Sequence, residues 1–463
     1  MRKIVRLHLF LLLAIFAQTL SGMVTVTWAA TPRVDAGGNH TVTLRQDGTL
    51  WLWGDNTFGQ LGDGSVIARN GPVKIGTDVN WASIAAGFYH TAAIKTDGTL
   101  WVWGDNTKGQ LGVGSAVFNQ AVPVRVGTDT NWTAVSTGDF HTLALKSDGS
   151  LWAWGDNTNG QTGDGTVVPG IVSLPVRIVL PAPLTNNDWS AIAAGGGHSL
   201  ARKANQTLWA WGFNGAGQIG NGTTIDARAP LQLPPLTNSD WVAVAAGQLQ
   251  SLALKSDGTL RSWGNNTFGQ LGNGTKLDSN VPVQENSQST TWVASNMGDT
   301  HTLGRKSDGT LWAWGSNANG QLGSGNTLDS LVPVKTGTDS DWLDAAAGSA
   351  HSVAVKTNGT IWTWGDNTFG QLGDRTNINR NAPVLVAQAG FLPKGDLNQN
   401  GVVDIADALI ALRIASLIIQ PTADDLILGD IAPVVNGVSV PNGVIDIVDA
   451  LLILRKVVGL ISF

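Results

Sequence analysis

One ten-residue phrase constrains this chain more than anything else in it. It reads WGDNTFGQLG, WGDNTKGQLG, WGDNTNGQTG, WGFNGAGQIG, WGNNTFGQLG, WGSNANGQLG and again WGDNTFGQLG, opening at Trp53, Trp103, Trp154, Trp211, Trp263, Trp314 and Trp364. Successive copies are 50, 51, 57, 52, 51 and 50 residues apart. Self-similarity at a near-fixed period means one supersecondary unit, stacked on its neighbours until a continuous core is buried.

Within a copy, two apolar runs such as HTAAIK and LWVWG flank Asp97-Gly98. Asp-Gly is a preferred centre of a type I′ hairpin turn, and Asn205-Gln206 is the one misfit among the seven copies. Each hairpin leads into a Gly-rich turn, then an extended piece carrying Pro (Pro72, Pro123, Pro333), and Pro suits an edge strand. WASIAAG (81–87) and its relatives supply the fourth strand of the unit. Four short strands in each of seven units predict an all-β, seven-bladed β-propeller over residues 30–390. Nothing like WASIAAG follows Pro383-Val384, so Arg33–Gly37 is expected to complete the last blade and latch the ring. The longest spacing places a protruding loop between Pro175 and Trp189.

Residues 1–29 read as a signal peptide: Arg2, Lys3 and Arg6 precede an apolar stretch from Leu9 to Ala17, too short for a membrane span. Its removal moves the formal charge from −6 to −9. An acidic, cysteine-free, secreted or extracellular body is expected, with no disulfide, no nucleic-acid partner and no span in the mature chain.

After a linker at 391–394, residues 395–463 form a small α-helical module. Asp396, Asn398, Asn400, Asp404 and Asp407 fall at loop positions 1, 3, 5, 9 and 12, Gly401 at 6, and Val402 offers a carbonyl at 7. This is the spacing of a calcium loop. A second copy runs from Asp430 through Asn442 and Asp446 to Asp449, with about eight extra residues before Asn442. ALIALR and ALLILR follow the two loops as helices.

Other chemistry is sparse. His40, His90, His141, His198, His301 and His351 share one repeat position, with Gln250 in the fifth copy. One per blade around a ring, they stand too far apart for metal–nitrogen bonds of about 2.1 Å, and hydrogen bonding inside each blade is expected. Tryptophans two apart, such as Trp101 and Trp103, share a strand face and read as core between blades. No phosphate loop, HExxH or GxSxG is present, so no enzyme activity is expected. Variation on the constant frame concentrates just before the repeated His. There Phe88, Tyr89, Asp139, Phe140, Gln248 and Asp299 are expected to line one binding face.

WGxNxxGQLGxG preceded by AGxxHTxALxxDGTLW resembles the repeat of the regulator of chromosome condensation family, which implies a seven-bladed ring that binds through loops on one face. The C-terminal module resembles a type I dockerin. That likeness implies calcium at Asp396, Asn398, Asn400, Asp404 and Asp407, and at Asp430, Asn442, Asp446 and Asp449, with docking on a protein. Ile405-Ala406 and Ile447-Val448 stand where cellulosomal dockerins often carry polar recognition residues. The expected function is a secreted protein-binding scaffold with a calcium-dependent docking module. The alternatives are a secreted polysaccharide-degrading enzyme or accessory protein, and an inhibitor of a secreted enzyme.

Overall fold

The computed structural model describes residues 33–114, 118–166, 170–234, 240–386, 395–398, 403–421, 423–431, 434–435, 438–439 and 443–458. The leader expected over 1–29 and the linker at 391–394 lie outside them.

Among the described residues, 28 strands form seven four-stranded antiparallel sheets. The first contains β1 (Arg33–Ala36), β2 (His40–Leu44), β3 (Leu50–Gly54) and β4 (Arg69–Lys74). The second contains β5 (Trp81–Ala86), β6 (His90–Lys95), β7 (Leu100–Gly104) and β8 (Gln120–Arg125). The pattern continues through β9–β12 (132–177), β13–β16 (189–232), β17–β20 (241–284) and β21–β24 (292–335). It ends with β25 (Trp342–Ala347), β26 (His351–Lys356), β27 (Ile361–Gly365) and β28 (Arg380–Leu385). The loop after Arg177 is largely exposed, as its length suggested, with only Ile178 and Leu180 turned into the core.

Three expectations about this frame change. The WASIAAG strand opens the following sheet and does not close its own: β5 pairs with β6, register Ala86↔Thr91. Counted from that strand, the blades divide evenly and no strand is missing from the seventh. β1 accordingly pairs with β2 (Ala36↔Thr41) and is not a latch. The ring closes by packing instead, with Val34, Ala36 and Trp53 of the first blade against Ala346, Val353 and Val355 of the seventh.

The hairpin turns are also not type I′. Lys95 N–H donates to Thr99 O (3.0 Å) and Gly98 N–H to Lys95 O (2.9 Å), enclosing three loop residues. Gly98 is left-handed (φ +75°) and Asp97 is not, so each is a type I turn closed by a Gly bulge. Asp97 stays at the turn because its carboxylate accepts from Thr99 N–H and Oγ1–H, bonds that hold its pKa below the usual range. Where Gly is missing, Gln206 still takes φ +65°. A Cβ in that region costs roughly 1–2 kcal/mol, and Gly adds about 0.5–1 kcal/mol of unfolded-chain entropy. Gln206→Gly should therefore stabilise by about 0.5 kcal/mol, read as a higher urea midpoint at unchanged slope; a lower midpoint would contradict the turn assignment.

The C-terminal module is helical, with α1 (Ile405–Ala415), α2 (Ala423–Gly429) and α3 (Ile447–Val457). α1 and α3 bury Ala408, Ala411 and Ile414 against Ala450 and Ile453, closed by Leu397, Leu428, Ile431 and Ile445. A two-stranded hairpin, β29 (Val434–Val435) and β30 (Val438–Ser439), takes up the extra residues of the second loop. No helix among the described residues is long and apolar enough to cross a membrane.

Candidate functional site

The repeated His does bond structurally, but to the next blade rather than its own. His40 Nε2 meets Thr91 Oγ1 at 3.0 Å, His90 meets Thr142 (3.0 Å), His141 meets Ser199 (2.9 Å) and His198 meets Ser251 (2.8 Å). His301 meets Ser352 (2.9 Å), and His351 meets Thr41 (3.0 Å) across the ring closure. Each hydroxyl spends its own proton on the carbonyl of the GQLG glutamine one blade back, as Thr91 does on Gln60 O (2.8 Å). It must therefore accept from the imidazole, which fixes the Nε2–H tautomer. Trp103 Nε1–H donates to the same Gln60 carbonyl (2.9 Å). Gln250 replaces the bond by donating to Gly298 O (2.7 Å) and Asp299 O (3.1 Å) of the next blade.

This belt sets the floor of one face. The residue before each relay turn is Gly because a Cβ on Gly37 would sit 2.3 Å from His40 Cε1 and 2.2 Å from Gly87 O. Immediately after come the variable positions. Phe88, Asp139, Gln248 and Asp299 line one cavity of about 70 Å³ at the mouth of the central channel, among the glycines of all seven blades. Tyr89 and Phe140 stand beside it. Tyr89 packs on Phe88 (4.5 Å between centroids), on Phe140 (6.1 Å) and on Phe58 (4.8 Å). All six predicted positions are thus brought to one place. Phe58 was missed: it lies inside the repeated phrase, where the residue before GQ varies (Phe, Lys, Asn, Ala) and was itself the available signal.

Acidic side chains line the mouth. Burial, reinforced by the neighbouring Asp299, pushes Asp139 up to about 7 against a lowering bond from Gln248. Asp299 is raised by burial as well. The Tyr89 hydroxyl is raised by burial and then by Asp55, Asp139, Asp105 and Asp299. Cationic groups and the edges of apolar side chains are the chemistry such a surface accepts.

In the C-terminal module the predicted ligands do a different job in part. Asp404 and Asp446 are the N-caps of α1 and α3, each in a capping box with Asp407 or Asp449. Asp407 accepts from Asn398 N–H (2.8 Å) and Asp404 N–H (2.8 Å); Asp449 accepts from Ile431 N–H (2.7 Å) and Asp446 N–H (2.9 Å). Gly443 N–H donates to Asp430. Asp396, Asp407, Asp430 and Asp449 are all buried. Asn400, Val402 and Asn442 lie outside the described residues, among which no group of three His, Cys, Asp or Glu is placed to hold a metal. Both helices leave the same apolar positions in water: Ile405, Leu409 and Leu412 on α1 and Ile447, Leu451 and Leu454 on α3.

Comparison with known proteins agrees with the ring. The profile of the RCC1-like domain matches residues 24–241, and that of the regulator of chromosome condensation (RCC1) repeat matches 257–304, 308–355 and 358–406. The chain is similar to the ultraviolet-B receptor UVR8 of Arabidopsis thaliana, 29% identical over 65% of this chain and 69% of the receptor. It is 37% identical to the probable E3 ubiquitin-protein ligase HERC3 of Homo sapiens over 65% of this chain, a span that is 29% of the ligase. Human WBSCR16 shares the fold at a TM-score of 0.66 (24% identity, 74% of this chain, 94% of that one). Yeast RCC1 (Prp20), in its complex with Kap60, does so at 0.66 (20%, 79% and 86%). By its repeat, its blade register and its ring, this chain belongs to the regulator of chromosome condensation repeat family.

Proposed function

We propose that this chain is an exported, non-enzymatic protein-binding propeller, and that a calcium-dependent C-terminal module docks it to a second protein. The carrying observation is the channel mouth: Phe58, Phe88, Tyr89 and Phe140 gather on variable positions of an otherwise repeated frame, beside Asp139 and Asp299. Folding does not require aromatics there, since Gly38-Asn39 and Gly196-Gly197 occupy the same turns in other blades. Such rings are the usual anchors of a protein interface, and the carboxylates favour a basic partner segment. Yeast RCC1, a similar propeller, is described in complex with a protein, Kap60. Export rests on the basic-then-apolar character of residues 1–29.

For the module, the donors Asp396, Asn398, Asp404 and Asp407 are all oxygen, the set that a hard cation such as calcium takes. Burial raises Asp407 against the lowering bonds from Asp404 N–H and Asn398 N–H, so a cation in this loop would relieve a carboxylate held out of water beside Asp404. Calcium would supply charge neutralisation only. The duplicated exposed stripes on α1 and α3 suit docking on an apolar patch.

The test is a pull-down from culture supernatant with the full chain, with and without calcium, beside the variant Phe88→Ala/Tyr89→Ala/Phe140→Ala. The variant should keep its melting temperature and lose the partner, each ring contributing about 2 kcal/mol. A variant that melts early yet retains the partner would make the rings core. Capture of polysaccharide instead of protein would favour the accessory-protein alternative.

A further inference from the structure

We propose a second site, a slot on the fifth blade that accepts an indole ring from outside the chain. In five other blades the tryptophan that opens the first strand meets, edge to face, the first tryptophan of the third strand. Trp81 and Trp101 lie 6.4 Å apart between centroids with 80° between planes, and Trp189 and Trp209 lie 5.7 Å apart at 77°. A lysine stands over both rings, as Lys95 does at 4.7 and 4.2 Å. The second indole also donates its N–H to the hydroxyl two residues before it, Trp101 to Thr99 at 2.9 Å and Trp209 to Thr207 at 3.0 Å.

The fifth blade keeps each part of this arrangement except the second indole. Trp241, Lys255 and Thr259 are in place, while Arg261 pairs with Ala253 and Gln284 just as Trp101 pairs with Ala93 and Arg125. Lys255 stands 5.1 Å from the Trp241 ring and 3.0 Å from Asp240. Its side chain is 17% exposed, against 3–11% for Lys95, Lys146, Lys203 and Lys356, which have two rings each. Thr259 is buried and donates its hydroxyl proton to Asp257 (2.7 Å), as Thr99 does to Asp97. Among the described residues no indole N–H reaches the Thr259 oxygen, so an acceptor is retained where its donor is gone. A cavity of about 430 Å³ opens there, lined by Pro234, Trp241, Lys255, Arg261, Val281 and Pro282. The other blades specify the occupant: a flat apolar ring with one edge N–H and a face for the lysine. Trp241 is only 5% exposed, so the entering ring moves the flexible Arg261 stem beside it, whose planar guanidinium can stack on the guest. The slot lies at the turn between β18 (Gln250–Lys255) and β19 (Leu260–Gly264), the end of the blade opposite to the channel mouth.

Ligand-observed NMR titration of the full chain with indole, and separately with benzofuran, which has oxygen in place of the N–H, tests the slot. Wild type should bind indole saturably and about fivefold tighter than benzofuran, the worth of one hydrogen bond. Thr259→Val should bind the two alike. Arg261→Trp restores the pattern of the other blades, so it should melt higher, by about 2 °C, and bind neither compound, its own indole filling the slot. Tighter binding of N-acetyltryptophanamide than of indole would identify a tryptophan side chain of a partner segment as the source of the ring, and the reverse a free indole. No saturable binding of indole to wild type, binding retained in Arg261→Trp, or a preference for indole that is absent in wild type or survives Thr259→Val would overturn the proposal.

Discussion

On acidification the propeller should unfold cooperatively between about pH 4 and 5, well above the range where ordinary carboxylate pairs fail. Burial holds the relay histidines neutral: His40 and His141 are lowered to about 4, and His90, His198, His301 and His351 to about 3. In the unfolded chain each takes a proton near its ordinary 6.5. The sign follows from that difference. The histidine contribution is fully present above pH 6.5 and drains away below it, until the folded imidazoles themselves titrate near 3–4. At pH 5 each histidine costs about 2 kcal/mol, so six of them reach the order of a whole domain's stability. Asp35 and Asp139 act in the opposite direction. Burial raises both to about 7, so their ionisation penalty is relieved as pH falls toward 3.8, returning about 2–3 kcal/mol each at pH 5. Asp299 and Asp344, also raised by burial, act the same way, so six imidazoles stand against four carboxyls and still outnumber them. Because the fifth blade already manages with Gln250, His198→Gln/His301→Gln should fold, move the midpoint to lower pH and make the transition shallower. Circular dichroism against pH reads both quantities, and a native spectrum at pH 3.5 would refute the account.

Trp103→Ala should be the most damaging single change in the second blade, at about 3–5 kcal/mol. Trp103 is fully buried, lies 6.3 Å from Trp81 and donates to Gln60 O of the preceding blade. Gly62 is left-handed and has no side chain because a Cβ there would lie 2.8 Å from Trp103 Nε1. The alanine variant therefore opens a cavity and loosens a seam at once. Trp101, two residues earlier, is half-buried, and Lys95 Nζ stands 4.2 Å above its ring while pairing with Asp78 at 2.7 Å. Its truncation should cost less, about 1–2 kcal/mol, since the half-buried ring keeps a water-facing side and the buried Lys95 retains Asp78 and the ring of Trp81 as partners. Urea unfolding of the two variants ranks them, and an equal loss from both would mean that the seam does not depend on the inner tryptophan.

Much of this was legible in the chain because each unit announces itself in local chemistry. The turn glycines, the edge prolines and the tryptophans two apart carry strand, turn and face in a few residues apiece, and their recurrence carries the blade number. Phe88, Tyr89 and Phe140 could be placed together for the same reason: a repeat position maps onto a fixed place on the ring. Phe58 escaped because it sits within the repeated phrase, where variation looks like tolerance.

Relations between units were a different matter. Periodicity has no phase, so the sequence left open whether WASIAAG ends one sheet or begins the next; only pairing of β5 with β6 decided it, and with it how the ring closes. The same holds for His40, whose partner Thr91 lies 51 residues away in the neighbouring blade. A hydroxyl that must give its proton to one blade and accept one from another exists only once the blades are stacked. Arg375 is the sharpest case. In the sequence it is one departure from Gly, and its left-handed φ of +62° and its N–H bond to Asn70 O (2.8 Å) arise where the last blade meets the first. Local backbone preference and burial pattern were determined by the sequence itself, because they depend on neighbours a few residues apart. The seams were decided by tertiary structure, because every bond in them joins residues that chain order keeps distant.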